Sequence, residues 1–479
     1  MDPAHADAAP PASNASWLGL ERKWWVMASV GLGTFMSALN GSIVNAIVPV
    51  LMRELKMDLG TTEWVTMVFL VLVSGLLLGF GRLGDLVGHK RVNLTGFAVF
   101  ATGLLACGLS WSAPALIAAR GVQAVGAAML MATGPALITR AFPGRQRGQA
   151  LGMQGTFTYL GLMVGPALGG VLTERFGWPS VFYVGVPFTL LAMLFTWRAV
   201  ADGPAAQRRE RFDFAGAACF LAGLAALLLA LSHGEAWGWS SVRTVGFLAS
   251  AVVLLGGFVA IERSAASPML DLSLFAARGI RAAVGSALLN YVCVYAVMFL
   301  VPFYLLRLRA FSPSEAGLLL SAQALVMAIA APLSGTLSDR IGSRLPSSLG
   351  MGILALGLVG LSTLDEAAPK WAIAVRLAVL GLGTGIFVSP NNSAVMGAAP
   401  RNQQGVTAAV LACARNVGMV LGVAIAGAVF ARTIAARGGS LETLVGFVPA
   451  FRVTFLVTAG VAVLGGLTSL ARGPRQAAH

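Results

Sequence analysis

The sequence is short of charge. Only 11% of its 479 residues are Asp, Glu, Lys or Arg, against 57% hydrophobic, and the mean hydropathy is +0.80. A soluble domain carries about 25% charged residues to cover its surface, so this chain cannot be wetted all over and its solvent is largely lipid. Soluble-enzyme, disordered and fibrous readings are set aside. Acid is scarcer than base, with 19 Asp and Glu against 33 Lys and Arg and a formal net charge of +14. Such a balance attracts nucleic-acid phosphate when it is gathered on one domain. Here the basic residues stand singly or in pairs between apolar stretches, the pattern that holds membrane loops in the cytoplasm, and nucleic acid is not an expected partner. Four cysteines, Cys107, Cys219, Cys293 and Cys413, lie in apolar stretches without Cys-x-x-Cys spacing, which argues against a metal site or a disulfide framework. Four scattered histidines, His5, His89, His233 and His479, offer no nucleophile, base or metal constellation. No catalytic residue, metal or cofactor is expected.

Long apolar runs are what the chain has instead. A bilayer core needs roughly 20 apolar residues per helix, and fourteen such spans are predicted, at about 25–48, 62–81, 92–111, 114–139, 149–172, 180–198, 214–232, 243–261, 282–304, 315–337, 347–364, 371–395, 405–430 and 450–471. An even count puts both termini on one side. More of the Lys and Arg fall on that side than on the other, including Arg82, Lys90 and Arg91 after span 2, Arg140, Arg145 and Arg147 after span 4, and Arg208, Arg209 and Arg211 after span 6. The positive-inside rule then makes the termini cytoplasmic. Neither a carboxylate nor a histidine falls inside any predicted span.

The two halves repeat. Gly81-x-Leu83-x-Asp85-x-x-Gly88 after span 2 returns as Gly335-x-Leu337-x-Asp339-x-x-Gly342 after span 10. Arg120 early in span 4 matches Arg376 in span 12, each followed by a late proline, Pro135 or Pro390. Gly161, Gly165 and Gly170 in span 5 match Gly418, Gly422 and Gly427 in span 13. Landmarks at nearly constant separation imply an all-α membrane fold of two six-helix bundles, with two extra spans between them. The expected organisation is a cytoplasmic tail at 1–20, a first bundle at 21–200, a linker with spans 7 and 8 at 201–270, a second bundle at 271–471 and a tail at 472–479. Paired bundles of this kind permit alternating access, one rocking against the other around a midplane site.

Several motifs carry chemistry. The glycine-punctuated segment Gly81 to Arg91 reads as a turn in which Asp85 can accept hydrogen bonds from a facing helix N-terminus, latching the bundles in one state; Asp339 repeats it. In span 5, Gly161-x-x-x-Gly165-Pro166-x-x-Gly169-Gly170 places glycines four apart on one face for close helix packing, with a proline to bend the helix, as suits a hinge at a bundle interface. Arg120, with Gln123 and Gly126 on the same helix, must face protein or water, or else snorkel. Arg415 lies near the midplane, where an ionisable group is a functional-site hypothesis by default; it reads as lining a central cavity, the alternative being bonds to backbone carbonyls. Asn40, Asn45, Gln154, Asn290, Gln323, Asn391 and Asn416 are further candidates for that cavity, and each could equally make an interhelical hydrogen bond.

In combination these residues resemble the major facilitator superfamily, in its fourteen-span drug:proton antiporter branch. The loop motif stands at Gly81, Asp85, Gly88 and Arg91. The antiporter motif is complete at Gly161, Gly165, Pro166, Gly169 and Gly170. The span-4 motif stands at Arg120, Gln123 and Gly126, and the span-13 pattern at Arg415, Asn416 and Gly418. The resemblance implies a multi-pass inner-membrane exporter of drugs or other toxic amphiphiles, exchanging them for protons, and not an enzyme. Lipid, siderophore or metabolite export and uncoupled facilitation belong to the same fold. A non-transporting sensor would call for an appended soluble segment.

The chain departs from that branch where coupling is expected. Asn40 stands where the branch has Asp, and an amide cannot titrate; Phe69 stands for a Tyr, and Gly185 for an Asn before Pro187. With no acid in a span, proton coupling is expected to be weak, to run through a rim acid such as Glu63 or through Asp85, or to be carried by the substrate. Glu315 and His89 are further rim groups. A cavity with Arg415 and amides but no acid should favour neutral or anionic amphiphiles over dications, which want a carboxylate or an aromatic cage. Spans 7 and 8 are expected at the periphery, and the chain as a monomer.

Overall fold

The computed structural model describes residues 21–57, 59–201, 212–265, 267–400, 403–438 and 445–471. The tails at 1–20 and 472–479, and Arg208, Arg209 and Arg211, lie outside them. The long helices are α1 (Arg22–Glu54), α2 (Leu59–Val87), α3 (His89–Gly108), α4 (Ala113–Ala141) and α5 (Arg147–Phe176), then α6 (Ser180–Tyr183), a single turn leading into α7 (Gly185–Ala199). The inserted pair is α8 (Phe214–Trp237) and α9 (Val242–Ser264). The second half is α10 (Arg278–Phe303), α11 (Pro313–Ile341), α12 (Arg344–Ser362), α13 (Lys370–Ala398), α14 (Gln404–Ala435) and α15 (Phe447–Leu470). Among the described residues, fourteen helical segments are long and apolar enough to cross a bilayer.

The packing repeats as the sequence does. In the first half α1 rests on α5 and α7, α4 on α2 and α3, and α3 on α7; in the second, α10 rests on α14 and α15, α13 on α11 and α12, and α12 on α15. The halves meet along two seams related by the same symmetry, α2 against α14 and α11 against α5. The inserted pair breaks the symmetry. α8 packs on both α2 and α14, with Leu224 and Leu228 set against Val420, so it covers one seam, while α9 packs chiefly on α8 and stays at the periphery.

The helices outrun their apolar cores, which corrects two expectations. The segment from Gly81 is not a turn: α2 continues through Asp85 to Val87, and the reversal is confined to Gly88 at φ +100°. α11 likewise runs past Asp339 to Ile341 and stops before Gly342 at φ +88°. Both glycines hold backbone angles that a side chain would disfavour. Nor are the spans free of titratable groups, because the extended helices carry Asp85, His89, Glu262 and Asp339. Buried Glu262 on α9 accepts the Leu270 N–H at 3.1 Å, near Asp213, the N-cap of α8. Polar residues continue a helix past the membrane core wherever neighbouring helices supply their hydrogen bonds.

Candidate functional site

Arg120 is enclosed, and it does not snorkel. It is 1% exposed on α4, and its guanidinium donates to Asn40 Oδ1 on α1, to Gln123 Oε1 at 2.6 Å and to the Val65 carbonyl at 3.2 Å on α2. Its Cζ lies 4.3 Å from the Phe69 ring centroid, within cation–π range. Two of the sequence departures therefore meet at one cation: the amide of Asn40 and the ring of Phe69 both contact Arg120. Gly126, six residues on, lets α3 close in, since a Cβ there would sit 2.7 Å from Phe100 Cα. The repeat partner Arg376 has diverged, bonding the Gly360 and Ala372 carbonyls and the Thr363 hydroxyl near a helix end.

The two acidic motifs each meet a helix N-terminus of the opposite half. Asp85 accepts the N–H groups of Gly405 and Val406, both at 3.0 Å, at the start of α14. Asp339 accepts those of Gly148 and Gln149, at 2.9 and 3.1 Å, at the start of α5. Helix N-termini hold unpaired N–H groups and partial positive charge, so each carboxylate meets two donors. Glycines let the backbones touch: a Cβ on Gly81 would fall 2.5 Å from the Gly405 oxygen, and one on Gly148 would fall 2.6 Å from the Gly335 oxygen. His89, 2% exposed, sets Nε2 3.1 Å from Asp85 Oδ1, and Arg91 is exposed. Further bonds tie the same end, Ser389 Oγ to the Gly148 carbonyl at 2.6 Å and Arg140 Nε to Gln404 Oε1 at 3.2 Å, and farther along Thr156 Oγ1 donates to the Ala328 carbonyl at 2.7 Å. Asn416 Nδ2 reaches Ser74 Oγ at 2.9 Å midway along the helices. Among the described residues, every hydrogen bond between the two bundles lies from this end to mid-helix. Just before α14, Gln403 donates to Asp271 at 3.3 Å. The Ser273 hydroxyl and N–H hold that loop carboxyl below the usual range.

The span-5 glycines do not face the other half. Gly161 would set a Cβ 2.6 Å from the Phe35 carbonyl, Gly165 abuts Ser42, and Gly169 would meet Ile43 Cγ1 at 2.7 Å. All three seat α1 inside its own bundle, and α5 meets α11 through Gly148, Gly152, Thr156 and Tyr159 instead. Pro166 lies within α5, which continues through it, and Gly170 opens on a cavity of about 540 Å³ at the opposite end, lined by Arg53, Glu54, Glu174 and Trp178 among others.

The amide candidates divide. Asn40, Asn290, Asn391 and Asn416 are buried. Asn391 bonds the Ala283 carbonyl and Ser286, and Asn290 reaches the Met351 sulfur, so both are packing residues of the second bundle. Gln154, bonded to Thr34 at 3.3 Å, and Gln323 stay partly open, while Asn45 is exposed and accepts from Thr66. Arg415 is partly open beside Tyr291. The Glu63 side chain lies outside the described residues. Glu315 caps α11 and pairs with Lys370 at 2.6 Å. The sequence reading missed Gly148 and Gly405, although they keep the separation that links the other landmarks. It also missed the tyrosines, which no motif marks.

Comparison with known proteins comes to the same architecture. The family model for the Major Facilitator Superfamily matches residues 30–277 and 283–478. A riboflavin transporter of Clostridioides difficile is 32% identical over 451 residues, 93% of this chain and 96% of its own. A multidrug resistance protein of Mycobacterium tuberculosis is 32% identical over 411 residues, 86% of this chain and 76% of its own. The crystal structure of the human organic anion transporter MFSD10 superposes with a TM-score of 0.66 at 16% identity, covering 93% of this chain and 99% of that one.

Proposed function

Because the chain belongs to the major facilitator superfamily and is a membrane transporter, not an enzyme, we propose that it exports amphiphilic organic compounds by alternating access. The observation that carries the mechanism is the reciprocal latch. Asp85 closes on α14 and Asp339 on α5, at the end where α1 begins. With both termini cytoplasmic, as the basic loops favour, this is the arrangement closed to the cytoplasm. A bundle that rocks must break both carboxylate contacts together and remake them on return.

Coupling through α1 is not supported, because Asn40 has no proton to exchange and its oxygen is committed to Arg120. Any proton dependence runs through Asp85 or Glu63, or arrives on the substrate. Protonating Asp85 would remove its charge and leave one carbonyl oxygen to two N–H groups, weakening the latch. Arg415 biases the cargo toward neutral or anionic amphiphiles. A second reading, carriage of a vitamin-like heteroaromatic metabolite, is favoured by the near full-length match to the riboflavin transporter. Inside-out vesicles test both readings: export predicts accumulation of neutral and anionic amphiphiles, and the metabolite reading predicts flux of riboflavin alone. Robust accumulation restricted to bis-cationic dyes would overturn the charge preference.

A further inference from the structure

One of the chain's five tyrosines, Tyr291, stands against an arginine at mid-helix, with Tyr295 one turn on and Tyr159 at similar depth on α5. Tyr159 lies about 18 Å along α5 from the latch end, Tyr291 about 20 Å along α10 and Arg415 about 16 Å along α14, at 1.5 Å per residue. The Arg415 guanidinium stands 5.8 Å from the Tyr291 ring centroid. Tyr295 follows one turn on along the same face of α10, whereas Tyr159 is buried on α5 against Met327, Ala328 and Ala331 of α11. Arg415, Tyr291 and Tyr295 are all partly open. Among the described residues no carboxylate pairs with Arg415. A planar guanidinium with five donors is thus held at a depth where a bare cation is costly, beside the Tyr291 ring.

We propose that Arg415, Tyr291 and Tyr295 form a binding site for planar aromatic anions. The ligand's carboxylate or sulfonate meets the guanidinium fork, its ring stacks on Tyr291, and the Tyr295 hydroxyl donates to a remaining acceptor. This deepens the export reading and rests on it for the direction of transport.

The test uses the purified full chain in lipid nanodiscs and three dyes followed by fluorescence polarisation: fluorescein as the planar anion, a neutral coumarin and cationic rhodamine 6G. Fluorescein is expected to bind at least about tenfold more tightly than rhodamine 6G, and Arg415→Gln to weaken fluorescein by about tenfold or more while coumarin stays within about twofold. Arg415→Lys should recover part of the loss, since it keeps the charge without the fork. Tyr291→Leu should weaken both fluorescein and coumarin, and Tyr291→Phe should leave stacking intact. Unchanged fluorescein binding in a folded Arg415→Gln, or equal loss of all three dyes, overturns the proposal. If Arg415→Gln does not fold, Arg415→Lys and Tyr291→Leu carry the decision by the same readout. Coumarin export in inside-out vesicles separates the two claims: export that persists without charge-selective binding sinks only the site, and selective binding without any export sinks only the export reading.

Discussion

At Arg120 a buried cation is satisfied by neutral groups, the Asn40 and Gln123 amides, the Val65 carbonyl and the Phe69 ring. The arrangement stabilises the junction of α1, α2 and α4 without a titratable partner. Arg120→Met would strand three acceptors in the interior, each unsatisfied group costing about 1–3 kcal/mol. The expected result is a loss of several kcal/mol, read as a lower unfolding midpoint in detergent, with part restored by Asn40→Leu in the same chain. An unchanged midpoint would mean that the cage does not hold the fold. Asn40→Asp puts a carboxylate beside the cation, and we expect it to create a dependence on the pH gradient in proteoliposomes that the parent shows weakly. Acid protonates the new carboxyl and weakens its pair, so the added effect should appear as pH falls. The Asn40 and Phe69 departures were visible in the sequence as two separate oddities. That they meet at one guanidinium depends on how three helices pack, which no local pattern encodes.

Among the elements, α5 does two jobs with two sets of glycines. Its middle seats α1 through Gly161, Gly165 and Gly169, while its first turns meet α11 through Gly148 and Gly152. Gly165→Leu should push α1 away and reduce folded yield and thermal midpoint, whereas Gly170→Leu, with open space around its Cα, should leave both within error. Similar losses from the two would contradict the packing. The glycine spacing on α5 was legible because period four is a property of one helix. Which neighbour that face meets was not, because α1 and α11 flank α5 alike in sequence terms. The same limit applies to α8. Its apolar run identifies a span, but its seat over the α2 and α14 seam follows from small surfaces on both partners, among them Gly75 under Leu221.

For the whole molecule, the latches are the interaction most directly tied to alternating access. Each carboxylate accepts two backbone N–H groups, and hydrogen bonds to a charged group contribute about 1.5–3 kcal/mol. Asp85→Asn or Asp339→Asn leaves one acceptor oxygen facing two donors. Each is expected to shift the population toward the state open at the latch end by about tenfold, and the pair together by about a hundredfold if the latches act independently. Spin-label distances across the α2 and α14 ends and across the α1 and α10 ends would read the shift. No movement in the double variant would show that the halves are held by the remaining contacts, such as Ser389 with Gly148 and Asn416 with Ser74.

The sequence by itself determined the solvent, the number of spans, the duplication and the family motifs. Composition, run length and repeat spacing are properties of a chain read in one dimension, and lipid constrains them strongly. Only the tertiary structure decided that the loop acids are helical and cap the helix starts of the opposite half, that Arg120 is caged by neutral groups, and that Arg415 stands beside the Tyr291 ring. Those outcomes rest on distances between residues far apart in the chain, set by glycine-permitted helix approach and by the need to satisfy every buried polar group.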